Sequence, residues 1–383
     1  MKSSFPRNPP RFALAAFLSA ACLALAACSS APVKPEPAPL TAFSPAMPVK
    51  LVWKAQVGAQ APLLVPALSG SVLAVASAAG TVMALDAADS GRELWRADLR
   101  TPLAVGVGFD GETAAVITAA NELVAVAGGK ELWRVRLPAR AFTTPLVAGK
   151  RVFVLAGDRS VAAYDGASGA RLWSQAARGT DALVLQQGGV LLAVGDTLLA
   201  GIGGRLAGLS PTNGMTRWEV PVATPRGVNE IERLVDLVGP AGRVDGQVCV
   251  RAFQSALGCV DAVRGALRWT RPATGGVGLA LDAARVYGVE SDGRVRAWNN
   301  ASGDSAWQTD LLRYRGLSAP TAFGAAIALG DASGQLHLLS GADGKLLNRL
   351  STDGSAIVAA PMLAGNHLLA LTRNGGLYAW RPE

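Results

Sequence analysis

Apolar residues in this chain come in short runs rather than at helical spacing. The runs at 71–76, 152–155 and 325–329 are each a strand's length and are bounded by Gly, Ser or Asp, the pattern of short strands between tight turns. Helix signals are nearly absent. A second kind of run carries a recurring phrase: Asp, a few turn residues, Gly, three residues, Trp. Its clearest copy is Tyr164-Asp165-Gly166-Ala167-Ser168-Gly169-Ala170-Arg171-Leu172-Trp173. It predicts a strand, a turn capped by the Asp165 carboxylate with Gly169 at positive φ, and a second strand that buries its Trp.

Related copies end at Trp95, Trp133, Trp218, Trp269 and Trp307, and a seventh ends at Asn348 in place of Trp, at intervals of roughly 38 to 51 residues. Four strand-like runs per interval, repeated at that period, indicate a β-propeller. Several units place a Pro before their first strand (Pro62, Pro145, Pro320, Pro361). The C-terminal stretch Asn374-Gly375-Gly376-Leu377-Tyr378-Ala379-Trp380 reads as the third strand of a unit with no fourth. Lys50-Leu51-Val52-Trp53-Lys54-Ala55 reads as a fourth strand with no third. The two complete each other. The expected fold is all-β: an eight-bladed propeller of four-stranded antiparallel blades spanning 49–383, the last blade closed by the N-terminal strand, so that no sheet edge is left open.

The first residues belong to something else. Lys2, Arg7 and Arg11 precede an apolar stretch from Phe12 to Leu25, too short for an ordinary membrane span. It ends in Leu25-Ala26-Ala27-Cys28, which resembles the signal box of bacterial lipoproteins, where cleavage precedes a Cys that takes a diacylglycerol. The resulting division is a signal peptide over 1–27 and a lipidated Cys28 followed by a tether to residue 48. The plainer alternative is a secretory signal cut nearby. Ser29, rather than Asp, favours the outer membrane. The tether carries Pro32, Pro35, Pro37, Pro39, Pro45 and Pro48 and is expected to be extended, holding the ring off the bilayer.

Charge and scarce residues then narrow the function classes. The net charge of +8 comes from 36 basic and 28 acidic residues, and the leader removes three of the basic ones. What remains is scattered rather than gathered into a basic stripe with aromatics, so nucleic-acid binding is not expected. Cys249 and Cys259 flank a hairpin turn near Gln254 and should oppose each other, either as a disulfide of an oxidising compartment or as two small buried thiols. His337 and His367 are the only histidines, both in strand-like runs. No Ser-His-Asp set, metal-ligand set or phosphate loop is found, so no catalytic residue, cofactor or metal is assigned. The competing class is a quinoprotein-like enzyme or a ligand-binding propeller with a site in the central channel. Such enzymes share the Trp phrase, but they are longer and use a vicinal Cys pair that this chain lacks.

The signal box, Pro-rich tether and eight-unit repeat together resemble the BamB family, lipoproteins of the outer-membrane β-barrel assembly machine. Between blades, Asn229-Glu230-Ile231-Glu232-Arg233-Leu234-Val235-Asp236-Leu237 resembles the family's acidic connector, and Arg315-Gly316-Leu317-Ser318-Ala319-Pro320 its Arg-Gly-x-Ser-Ala-Pro phrase. The resemblance implies a non-enzymatic scaffold, anchored by lipid at the periplasmic face of the outer membrane. Its partners would be the POTRA modules of a BamA-like subunit and the other subunits of that complex. Implied contacts fall on two connectors: Leu183, Leu185 and Gln186, where Gln186 replaces the family's Arg, and Glu230, Arg233 and Asp236, with Val238 replacing an acidic residue. Both connectors follow an outer strand and lead to the next inner strand, so they should emerge side by side on one face.

Overall fold

The computed structural model describes residues 35–176, 184–225 and 234–383. Cys28, Leu183, Glu230 and Arg233 lie outside the described residues. A compact body runs from Ala38 to Glu383. It comprises eight blades of antiparallel strands, the first seven laid out in chain order from inner to outer strand. Blade three is typical: Leu146–Ala148, Arg151–Leu155, Val161–Asp165, Arg171–Gln175. The two middle strands of a blade are covered on both faces by the neighbouring blades. That is why they read as apolar runs with nearly every residue buried, such as Val72–Ala76 and Ala326–Gly330. Outer strands keep one face in solvent and alternate raggedly, as in Glu93–Asp98.

The eighth blade is Met362–Ala364, His367–Leu371, Gly376–Pro382 and then Val49–Gln56, with Val49 opposite Pro382 and Gln56 opposite Gly376. The N-terminal strand therefore closes the ring, as the two sequence fragments required. One detail differs from expectation. The residues after Pro62 form Leu63–Leu64, which pairs in parallel with the inner strand of blade two, and blade one starts at Ala67–Ser69, behind Pro66.

The repeated phrase explains how blades join. In the turn of blade three, Asp165 Oδ1 accepts from the amides of Ala167 and Ser168 at 3.2 and 2.9 Å. Gly169 sits at φ 74°, and a Cβ there would lie 2.7 Å from the ring of Trp133 of the preceding blade. The same seat recurs: Gly91 receives Trp53, Gly214 Trp173, Gly265 Trp218, Gly303 Trp269 and Gly344 Trp307. Several of these indoles also donate Nε1–H to the receiving turn, Trp133 to Gly166 O at 2.8 Å and Trp269 to Asn300 O at 2.9 Å. Gly and Trp are thus one device split across two blades. The Gly removes a Cβ so that a large aromatic can bury itself and satisfy its one donor.

The seventh copy breaks the pattern for a physical reason. Blade eight has no turn between its third and fourth strands, because its fourth strand comes from the other end of the chain. There is no Gly seat for a Trp. Asn348 stands there instead and donates Nδ2–H to Met47 O at 2.7 Å, holding the segment that leads into the closing strand.

That segment corrects the expectation of a free tether up to residue 48. From Ala38 onward it lies on blade seven. Ala38 N–H donates to Arg313 O, the amides of Ala46 and Met47 donate to Leu347 O, and Arg349 lies 5.1 Å from the Phe43 ring. Cys249 and Cys259 are directly paired in adjacent strands of blade five, fully buried, with Cα atoms 4.0 Å apart and sulfurs at bonding distance.

Candidate functional site

Strand direction alternates through a blade, so the connectors between blades and the turns between second and third strands share one face. The connectors after blades three and four both emerge there, and in their described parts they lie side by side. Asp236 joins them. Its Oδ2 accepts from the Leu185 amide at 2.9 Å, and its Oδ1 from Arg159 Nη2 at 3.1 Å. Arg159 sits at φ 66° in the turn between the middle strands of blade three. It reaches over Gly203, the matching turn of blade four; a Cβ on Gly203 would touch both the guanidinium and the carboxylate. The two side chains keep only 14% and 15% exposure. A partly shielded, hydrogen-bonded ion pair of this kind orders loops that are otherwise held by single backbone contacts.

Those backbone contacts continue inward. Gly239 N–H donates to Gly188 O at 2.9 Å, Leu237 N–H to Gly203 O at 3.0 Å, and Gly189 N–H to Thr143 Oγ1 at 3.0 Å. Three successive connectors are thereby laced together. The next one is held from below. Glu290 accepts from the Thr274 amide and hydroxyl through Oε2, and the fully buried Arg251 lies 4.0 Å from its Oε1. Burial brings the Arg251 guanidinium down to about 10, with Glu290 opposing the shift.

On this floor Leu185 is half-buried and Gln186 is exposed. Asp236 turns out differently from a contact carboxylate free to meet a partner: both its oxygens are committed within the protein. Val238 is buried and bridges Gly189. Two hollows open at the connectors: one lined among others by Phe142, Leu155, Val184 and Leu185, of about 40 Å³, and one lined among others by Arg159, Gly203, Thr224 and Pro225, of about 180 Å³. Cofactor pockets are typically ~300–1,000 Å³. Among the described residues, no three His, Cys, Asp or Glu side chains come together as a metal site.

Sequence reasoning missed Arg159. Its one signal is an Arg in a short Asp-Arg-Ser turn, which says nothing of a partner 77 residues away. It also missed the surroundings of His337. That ring is fully buried with Nε2 3.0 Å from Asp331 Oδ2, and Arg315 of the Arg-Gly-Leu-Ser-Ala-Pro phrase lies 2.7 Å from the same carboxylate oxygen. Burial pushes the Asp331 carboxyl up, but His337, the Gln335 amide and Arg315 outweigh it and hold the group well below the usual carboxylate range. His367 is a plain structural residue whose Nδ1 meets Ala87 O at 3.1 Å.

A sequence model of the family described as outer membrane protein assembly factor BamB matches residues 79–309 and 292–382. The protein of that name in Burkholderia pseudomallei is 38% identical over 378 residues, covering 97% of this chain and 99% of its own. The one in Bordetella pertussis is 35% identical over 369 residues, covering 94% and 95%. The crystal structure of BamB from Moraxella catarrhalis superposes with a TM-score of 0.78 at 26% identity, covering 87% of this chain and 99% of that one. A europium-containing methanol dehydrogenase superposes with a TM-score of 0.64 at 15% identity, over 87% of this chain and 93% of its own, a likeness of fold alone.

Proposed function

Because the chain belongs to the BamB family of outer-membrane protein assembly factors, we propose that it serves that assembly as a non-enzymatic scaffold. Cys28 carries the lipid that anchors it to the periplasmic face of the outer membrane. The connector face docks on the POTRA region of a BamA-like subunit. The observation that carries this reading is the Asp236 clip, which fixes two neighbouring connectors as one surface with Leu185 and Gln186 outward. Leu185 supplies the apolar anchor and Gln186 a neutral donor and acceptor. Asp236 and Arg159 act as positioning residues. Leu183, Glu230 and Arg233, on the same two connectors, complete the contact set.

The test is co-purification from detergent-solubilised outer membranes. The parent should bring down a BamA-like subunit and Leu185→Asp should not, since it places a charge in a contact that binding desolvates. Recovery of the same partner in the same yield by both proteins would remove the connector face from consideration. Cys28→Ala should leave the protein without acyl label; a labelled variant would refute the anchor assignment.

A further inference from the structure

The first eleven residues of the compact body, Ala38 to Pro48, are bound to the ring by side chains and backbone groups of the blade six-to-seven connector and blade seven. Arg315 is the chief of these. It is only 9% exposed, and its donors are divided among Asp331 Oδ2, Ser333 Oγ at 2.6 Å and, through Nη1, Ala38 O at 2.9 Å. The Ala38 carbonyl therefore completes the coordination of a nearly buried guanidinium. Its amide is also used, donating to Arg313 O at 2.9 Å. Farther along, Arg349 Nη1 donates to Thr41 O at 3.3 Å and its guanidinium faces Phe43. Met47 packs on the apolar cluster of blades seven and eight. The contacts at Ala38, Phe43 and Met47 make a strap running the height of the blade.

Its two ends lie on opposite faces. Arg313 and Arg315 belong to the connector between blades six and seven, which emerges on the same face as the connectors after blades three and four. Met47 meets Leu347 and Asn348 at the start of an outer strand, on the other face. Ala38, the first residue of the compact body, therefore lies at the connector face.

We propose that this strap turns the connector face toward a lipid surface and keeps it close. The inference rests on Cys28 as the anchor. Nine residues then separate Cys28 from Ala38, which bounds the span at roughly 35 Å, against roughly 70 Å from Cys28 to Val49. A leash attached at one face and shorter than the unstrapped alternative biases which face meets the bilayer. The docking connectors are thus presented on the membrane side of the ring.

Hydrogen exchange tests the strap apart from the anchor. The amides of Ala38, Ala46 and Met47 should be protected at least ~100-fold relative to Glu36, as native hydrogen bonds are; equal rates would overturn the strap whether or not the protein is lipidated. Orientation is read on the acylated full chain in vesicles carrying a headgroup acceptor, with a donor dye on Gln187→Cys at the connector face or Lys345→Cys at the opposite face. Energy transfer should be at least twofold greater from position 187. In the double variant Ala38→Pro, Phe43→Ala that excess should fall by half or more. Equal transfer from both positions, or an unchanged excess in the double variant, would overturn the proposal. An insertion of ten Gly/Ser residues after Pro37, which leaves the strap untouched, should lower transfer from both positions; unchanged transfer would also overturn it. Failure of the unlabelled parent to float with vesicles would instead refute the anchor.

Discussion

Blades seven and eight and blades three to five solve the same problem in opposite ways. At blades seven and eight the chain has loose ends, and it covers them with itself: Val49–Gln56 supplies the missing outer strand, Asn348 holds Met47, and the strap lies on blade seven. At blades three to five nothing is missing from the sheets. There the described parts of the connectors are tied to one another and to the turn of blade three by Asp236, Arg159 and a few backbone bonds, with Leu185 half-buried and Gln186 exposed. The difference separates two uses of the same loop positions. Where the ring needs closing, polar groups face inward and are covered by the chain's own segments. Where the sheets are complete, polar groups order the connectors from below, with Gln186 exposed.

The largest effect should come from removing the closure. Deleting Val49–Gln56 strips the fourth strand from blade eight and takes Trp53 from its seat on Gly91. Exposed sheet edge and a lost wedge together should abolish cooperative thermal unfolding or lower Tm by ~10 °C or more. Deleting residues 30–36, ahead of the strap, should leave Tm within ~2 °C. If both deletions melt alike, the split blade is not what closes the ring.

Next come the joints. A Cβ at Gly303 would fall 2.6 Å from the Trp269 ring at a φ of 74°, whereas at Gly324, φ 59°, nothing lies within 4 Å. Gly303→Ala should therefore cost ~2–4 kcal/mol in denaturant unfolding, combining strain with overpacking, and Gly324→Ala only ~1 kcal/mol, from strain alone. Equal costs would mean that the Trp does not need the Gly. If Cys249 and Cys259 are bridged, reduction should lower stability by ~2–3 kcal/mol, as expected for so short a closed loop. Two free thiols counted on denatured, unreduced protein would end that idea.

The smallest effect is on acid stability. Burial pushes the His337 imidazole down, against the pull of Asp331, while the Asp331 carboxyl is itself held low. Each group binds fewer protons in the folded state than in the unfolded chain. Stability is therefore lost as pH falls, from about 6.5 downward for the imidazole and from about 4 downward for the carboxyl. His337→Gln should flatten the decline in Tm between pH 7.5 and 5.5. An unchanged slope would show that the titration lies elsewhere.

Most of the ring could be read from the sequence because its determinants are local. The Asp caps its own turn, the Gly sets φ in that turn, and the run lengths mark strands. Even the split blade was visible, since each fragment lacks what the other has. The Gly–Trp seat was half visible: the repeat showed both residues, but not that the Trp of one blade fills the Gly of the next. What stayed hidden is pairing across blades. Asp236 read as a carboxylate free to contact a partner because nothing nearby in sequence announces Arg159. The tether read as free because Pro and Ala offer no side-chain signal, and the residues that hold it, Arg315 and Arg349, come some 300 positions later.

The docking face is tested most directly by titrating a POTRA fragment of a BamA-like subunit into folded parent, Leu185→Asp and Lys345→Ala at moderate salt. Lys345 pairs with Asp343 in a turn on the opposite face. Leu185→Asp should weaken binding by ~1–3 kcal/mol, about 5- to 150-fold in Kd, with its melting curve unchanged. Lys345→Ala should bind within about twofold of the parent, since rim and off-site truncations are near neutral. Parent-like binding by Leu185→Asp together with lost affinity in Lys345→Ala would place the partner on the other side of the ring and contradict the account.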